Sequence, residues 1–169
     1  MKIEENLYYA SSEIAGIRFK IISSHKGIVK ILLNSREDIK RANLTNLYTD
    51  DPFMFNVFAE LEEYFNCSRR SFSVPLDIRG TDFQKDVWNE LLKIPFGRTV
   101  SYKYIARSLG DENAIRAVGR ANGSNPIPII IPCHRVISDD GTLGGYSGGL
   151  EIKRKLLKLE ESLLPDLFD

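Results

Sequence analysis

The 169-residue chain has two cysteines, two histidines and one tryptophan. So few thiols exclude a disulfide framework, and Cys67, Cys133, His25 and His134 fall in no CxxC or HxxxH spacing, so no metal site is expected. No cofactor is expected either. No window reaches the roughly 18 consecutive apolar residues of a membrane span. The start, MKIEENLYYA, carries acids and tyrosines where a secretory signal needs an apolar segment. A cytoplasmic protein with free thiols and no membrane partner is the expectation, associated with the nucleoid if the source is prokaryotic. Net charge is also lacking: 23 Lys and Arg balance 23 Asp and Glu. Nonspecific coating of nucleic acid through bulk charge is thereby disfavoured.

What is present is an ordinary globular composition, 43% hydrophobic and 27% charged, which argues against disorder. At roughly 150 residues per domain, the length allows one domain or two small ones. Charge is unevenly placed. Residues 96–136 carry Arg98, Lys103, Arg107, Arg116, Arg120 and Arg135 against only Asp111 and Glu112, while acids gather in AELEEYF and in the tail LEESLLPDLFD. Residues 17–23 and 28–33 predict two strands joined by SHKG, and the alternation in RSFSVPLDI at 70–78 predicts a third. His25, in the turn, reads as a solvated loop residue. Between the strands, Asp51 as N-cap, Pro52 at the first helical position, and Phe55, Phe58, Leu61 and Phe65 at helical spacing predict a helix. The first 76 residues thus form a small α/β unit.

The pattern changes at Thr81. TDFQ is a capping box ahead of Phe83, Val87, Trp88, Leu91 and Leu92, and that helix stops by Pro95. Two short helices follow, one capped by Ser101 and ending at Gly110, the other over 114–121 and ending near Gly123. A tight turn between them, with Arg116 and Arg120 on the second, reads as a helix-turn-helix, though helix pairs of this kind are common outside DNA-binding proteins. In NPIPIIIPCHRVI the prolines forbid helix and predict an extended path that Ile129–Ile131 draw into the core. The glycine-rich DDGTLGGYSGGL permits close backbone approach near Cys133, and LEIKRKLLKLEE predicts an amphipathic helix with Ile152, Leu156 and Leu159 inward.

A buried cysteine is usually a small hydrophobe, and Cys67 fits that reading. Cys133 fits it less well, because His134 and Arg135 follow it and prolines constrain it. A thiol becomes a nucleophile as the thiolate, which a neighbouring base or cation promotes. Adjacent residues on an extended strand point to opposite sides, so His134 is expected to act on the thiol through a water. That arrangement suits a single deprotonation better than the proton shuttling of a cysteine hydrolase.

PCHRV at 132–136, the longer NPIPIIIPCHR, SYKYIA and RAVGRANG upstream, and GGYSGGL downstream resemble the O6-alkylguanine-DNA alkyltransferases, in that family's order and spacing. The resemblance covers most of the chain. It implies an N-terminal ribonuclease-H-like α/β domain, residues 1–79, and a mainly helical C-terminal domain with a helix-turn-helix, residues 80–169, holding the alkyl acceptor. It further implies single-turnover, direct-reversal repair, in which the alkyl group of O6-alkylguanine, or of O4-alkylthymine, moves to Cys133 after the nucleotide is flipped out. The partner is double-stranded DNA carrying O6-alkylguanine, bound by a monomer. Carried over residue by residue, Cys133 resembles the acceptor, His134 the residue that activates it through a water, and Glu160 the carboxylate that orients His134. Asn125 resembles a hinge asparagine tying the turns around the site. Tyr102 resembles the tyrosine that protonates the departing guanine at N3 and crowds the adjacent phosphate. Arg116 resembles the finger that fills the vacated stack, Arg120 a further DNA contact, and Ala117 and Ala121 small residues allowing close minor-groove approach. Val136, Tyr146 and Ser147 resemble base-pocket residues. The cysteines and histidines that form a zinc site in some members are lacking here.

Two other function classes compete with transfer. A noncatalytic damage-binding module of the same fold lacks the acceptor thiol, so Cys133 counts against it. A helix-turn-helix regulator leaves PCHRV and the glycine-rich segment unexplained.

Overall fold

In the computed structural model, residues 6–35, 44–46 and 51–161 are described. The acidic tail from 162 onward and the first five residues, parts of two segments used above, lie outside them. The chain divides into two compact units, Met1–Arg79 and Gly80–Asp169.

In the first unit, β1 (Leu7–Ile14), β2 (Ile17–Ser24) and β3 (Gly27–Leu33) form an antiparallel meander, and β4 (Leu44–Asn46) adds parallel to β1, giving the order β3-β2-β1-β4. The β1–β2 turn places Ala15 and Gly16 at positive φ, the conformation that a two-residue hairpin with right-twisted strands demands. Helix α1 (Pro52–Phe65) starts at Asp51, whose carboxylate accepts from the Phe53 and Met54 amides at 3.1 Å. Its buried face is Met54, Val57, Phe58, Leu61 and Tyr64; Phe55, expected inward, is 64% exposed. The strand expected at 70–78 does not form. Leu76 makes only an isolated bridge to Ile28, with the Ile28 amide donating to Pro75 O and the Asp77 amide to Ile28 O. Pro75 has no N–H to continue a ladder.

In the second unit, Thr81 and Gln84 form the expected capping box of α2 (Asp82–Leu92). Val87, Trp88 and Leu91 are buried, whereas Phe83 and Leu92 lie at the exposed edge. Helix α3 (Tyr102–Ser108) is capped by Ser101 Oγ, and Gly110 at φ +85° turns the chain through a 3-10 turn, Glu112–Ala114, into α4 (Ile115–Gly123). Helix α4 packs on both α2 and α3, and the Trp88 indole donates to Ala121 O at 2.8 Å. Strands β5 (Val100–Ser101) and β6 (Val136–Ile137) pair in parallel, and α5 (Leu150–Glu161) closes the unit. On α5, Leu157 is buried beside Ile152 and Leu156, while Leu159 is only partly covered.

Candidate active site

The segment before Cys133 is not an extended run. Ile127–Ile131 form a tight turn in which the Ile131 amide donates to Ile127 O at 2.9 Å and Ile129 sits at φ +76°, an uncommon state for a β-branched residue. Asn125 holds that turn from inside: its Oδ1 accepts from the Ile127 amide at 3.0 Å and its Nδ2 donates to Ile131 O at 2.8 Å. Cys133–Arg135 then form a 3-10 turn leading into β6. The expected extended path fails here because a β-branched triplet between prolines can be folded back when one amide side chain replaces the missing backbone pairing. In a 3-10 turn, successive side chains still diverge, so Cys133 and His134 do not face each other.

Both side chains are enclosed, with Cys133 1% and His134 0% exposed. His134 Nε2 donates to Glu160 Oε1 at 2.8 Å, since a carboxylate can only accept, which leaves Nδ1 as the acceptor of the neutral ring. Nδ1 has no hydrogen-bond partner among the described residues. Glu160, 1% exposed, also accepts from Arg135 Nε and Nη2, each at 2.9 Å, and from the Gly97 amide at 3.0 Å. Arg135 is held in turn by donation from Nη1 to Ile94 O at 2.6 Å and by lying over the Phe96 ring. Burial alone pushes the Glu160 carboxyl up, but the hydrogen bonds and charges of His134 and Arg135 outweigh it and bring the pKa down to about 2. Burial moves His134 below its usual pKa against the pull of Glu160, so the ring is neutral at rest.

The thiol is governed by its surroundings rather than by His134. Burial raises Cys133 to about 11, and the groups that oppose this are, in order, the Asn125 amide, the Lys153 charge, its own backbone N–H and Tyr146. The resting group is therefore a thiol. Tyr146 Oη is buried without a hydrogen-bond partner among the described residues, and burial first, then nearby Cys133, holds it protonated. Tyr102, first residue of α3, is raised by the same two causes. It meets the glycine-rich loop at Gly144, where φ is +63° and a Cβ would stand 2.9 Å from Tyr102 Oη.

Cys133, Asn125, Tyr102 and Tyr146 therefore converge, with His134 and Glu160 linked beside them. Val136 is buried and Ser147 exposed. Arg116 and Arg120 are exposed on α4, with Ala117 partly covered. Ala121 differs from expectation: it is buried, and its carbonyl receives Trp88, so it belongs to the inner face of α4. Two participants, Asn122 and Lys153, escaped sequence reasoning, and Arg135 is legible there as a neighbour of Cys133 but not as a partner of Glu160. Asn122, buried, donates Nδ2 to Cys133 O at 3.4 Å. Lys153, 0% exposed, donates Nζ to Val136 O at 2.7 Å and to Leu143 O. Its sequence signal was its place beside Ile152 on the apolar face of α5. Among the described residues there is no cluster of three His, Cys, Asp or Glu able to hold a metal, and no helix is long and apolar enough to cross a membrane.

A fully buried thiol followed in the chain by a histidine that a buried carboxylate holds, in the same unit as a helix with exposed arginines, is the arrangement to be compared. Comparison with known proteins gives the family. Residues 7–78 match the 6-O-methylguanine DNA methyltransferase, ribonuclease-like domain, and residues 82–162 the 6-O-methylguanine DNA methyltransferase, DNA binding domain. The methylated-DNA--protein-cysteine methyltransferase of Mycobacterium tuberculosis strain H37Rv is 52% identical over 126 residues, 72% of this chain and 76% of that protein. The inducible enzyme of that name from Bacillus subtilis strain 168 is 41% identical over 154 residues, 91% of this chain and 84% of that protein. The crystal structure of M. tuberculosis OGT in complex with DNA superposes with a TM-score of 0.81 at 40% identity, covering 94% of this chain and 96% of that one. The chain belongs to the 6-O-methylguanine DNA methyltransferase family.

Proposed function

We propose that the protein repairs O6-alkylguanine in double-stranded DNA by moving the alkyl group to Cys133, once per molecule, acting as a monomer. The observation that carries this reading is the convergence of Cys133, Asn125, Tyr102 and Tyr146 in front of the His134–Glu160 pair. A thiol 1% exposed cannot reach a substituent inside a stacked duplex, so the nucleotide is flipped out, at a cost of a few kcal/mol. Helices α3 and α4 serve as the helix-turn-helix, Arg116 fills the vacated stack, and Arg120 and Ala117 face the duplex. Val136, Tyr146 and Ser147 line the base pocket.

The thiol proton passes through a water to His134 Nδ1, with Glu160 stabilising the imidazolium that forms. Sulfur attacks the alkyl carbon, the S–C bond forms, and the C–O6 bond breaks with its electron pair leaving on guanine. Tyr102 supplies the proton at N3 and recovers one from the imidazolium relay, so the net change is thiol plus alkylguanine to thioether plus guanine. A thioether offers no leaving group for reversal. O4-alkylthymine presents the same alkyl–oxygen bond and is the second substrate of this reading.

The test is mass measurement after mixing the protein with one equivalent of O6-methylguanine duplex. One added methyl on the peptide containing Cys133, and no further repair from a second equivalent of lesion, is expected. Binding without a mass gain would instead make the protein a damage-binding module, and a gain elsewhere would remove Cys133 as acceptor.

A further inference from the structure

Lys153 is a lysine with no measurable exposure, on the apolar face of α5 beside Ile152 and Leu156. No carboxylate pairs with it among the described residues, and its two named hydrogen bonds go to backbone carbonyls, Val136 O and Leu143 O. An enclosed ammonium without a counter-ion is costly, and such groups are normally paired or neutral. Its charge favours ionisation of Cys133 and, more weakly than burial does, opposes protonation of His134. The two carbonyls also tie Lys153 to two segments of the site, since Val136 follows the turn bearing the thiol and Leu143 lies in the glycine-rich loop that carries Tyr146 and meets Tyr102 at Gly144.

We propose that Lys153 is a positioning residue whose ammonium, cradled by Val136 O and Leu143 O, is the counter-charge for sulfur as Cys133 loses its proton during alkyl transfer. The proposal rests on Cys133 being the acceptor. Lys153 itself gives up no proton. Negative charge that develops on sulfur meets a fixed positive charge in a site shielded from water, where charge pairs act most strongly. Other titratable or charged groups around this point are arranged so that none substitutes for it. Tyr102 and Tyr146 are held protonated, and Glu160 takes both Arg135 and the imidazolium that His134 becomes, so Lys153 is the cation here that no carboxylate pairs among the described residues. Burial brings the Lys153 pKa down to about 8 although Cys133 pulls it up, so the charge is present at neutral pH and is lost a little above it.

That gives a readout which packing alone does not move. Wild type, K153R and K153M are compared for single-turnover methyl transfer from a methylated duplex between about pH 6 and about pH 9.5, with the adduct assigned by mass. The wild-type rate is expected to rise with pH and then break near pH 8, as Lys153 loses its charge. K153R keeps a charge that does not titrate, so it is expected to stay within about threefold of wild type at neutral pH and to lose the break. K153M is expected to fall about tenfold or more at neutral pH and to have no break. A K153M profile parallel to wild type, break included, overturns the proposal, as does a break that persists in K153R. If K153M does not fold, the wild-type and K153R profiles decide alone, and a wild-type rate that climbs through pH 8 without a break overturns it. Absence of any adduct at Cys133 in wild type would defeat the acceptor reading instead, and is visible in the same mass measurement.

Discussion

Each unit of the chain buries a glutamate, and the two carboxylates differ in what their partners face. Glu60, on α1, accepts from the Ser73 amide at 2.8 Å and from Ser73 Oγ, and pairs with Arg69. All its partners belong to the segment that follows α1, so its work is to pin that segment. Glu160, on α5, is as deeply buried and also has an arginine, but one of its donors is a histidine that follows Cys133 in the chain and whose other nitrogen has no partner among the described residues. The two cysteines divide in the same way: Cys67, partly exposed at φ +58°, ends α1, while Cys133 is enclosed among Asn125, Tyr102, Tyr146 and Lys153. A buried acid or a free thiol is therefore not by itself a mark of chemistry. What marks it is a neighbour with an unused valence.

The largest expected effect sharpens the contrast between the cysteines. Cys133→Ser should abolish methyl transfer while leaving binding to a methylated duplex, because a hydroxyl lacks the soft, acidic nucleophile but matches its shape. Cys67→Ser should leave the transfer rate within about twofold, as expected for a small change at a partly exposed residue of the first unit. Mass measurement of the adduct and a binding titration on both variants check this, and transfer by Cys133→Ser would erase the distinction.

The glutamates come next. Glu160→Gln removes the charge that Arg135 and His134 share, leaving the guanidinium buried without a counter-ion, which typically costs about 3–5 kcal/mol. Transfer should slow by about tenfold or more, since no carboxylate stabilises the imidazolium. Glu60→Gln should cost only about 1–3 kcal/mol, because Arg69 is partly open to water, and transfer should be unchanged in folded protein. The pH dependence separates them further. Glu160 has a folded pKa near 2, below its unfolded value, so its contribution is complete above about pH 4.5 and is lost as pH falls toward 2. Burial depresses His134 as well, so stability declines from about pH 6.5 downward as the unfolded ring takes up protons. Glu160→Gln should flatten the lower part of that acid limb in melting curves, and a limb identical to wild type would mean that Glu160 is not the responsible group.

The contrast also shows what a sequence can disclose. PCHRV marked the proposed acceptor because its chemistry is local, and Thr81, Ser101 and Asp51 marked helix starts because a cap bonds within three residues. Glu160 was legible only through resemblance, since spacing alone makes it one more acid beside Glu161. Lys153 was passed over because lysines are seldom buried, and only the fold brings two carbonyls to its ammonium. In the first unit, β1 was missed because only Ala10 and Ile14 are buried along it, so its alternation is faint. Residues 70–78 misled in the opposite sense: their alternation is real, but Pro75 removes the donor that a ladder needs.

Alkylation provides a third, smaller perturbation of the enclosed cysteine. A methyl on Cys133 adds volume where Asn125 and Tyr146 already pack against the thiol, and overpacking of this kind costs about 1–3 kcal/mol. The Asn125 amide, which also braces the Ile127–Ile131 turn, loses its approach to sulfur. Protein confirmed by mass to carry one adduct should melt below the unmodified form, and a benzyl adduct below the methyl one. A benzyl adduct that melts at or above wild type would show a pocket with room to spare.

The smallest effect lies on the alkaline side, where Lys153 and Cys133 act with opposite signs. Lys153 has a folded pKa of about 8, below its unfolded value near 10.5, so its buried charge costs stability below pH 8 and the cost is relieved as pH rises from there. Cys133 has a folded pKa of about 11, above its unfolded value near 9, so stability is withdrawn above pH 9 as the unfolded thiol ionises. Between about pH 8 and 9 only the first process runs, and one proton over one pH unit is worth at most about 1.4 kcal/mol. The melting temperature should therefore rise from about pH 8 to 9, stay level to about pH 10.5 where the two slopes cancel, and fall above that, measured as a difference from variants so that other groups cancel. Lys153→Met should leave only a fall beginning near pH 9, and Cys133→Ser a rise that continues to about pH 10.5. If Lys153→Met keeps the rise, Lys153 does not lose its charge near pH 8 in the folded protein, and the break assigned to it in the transfer rate would have to be abandoned along with it.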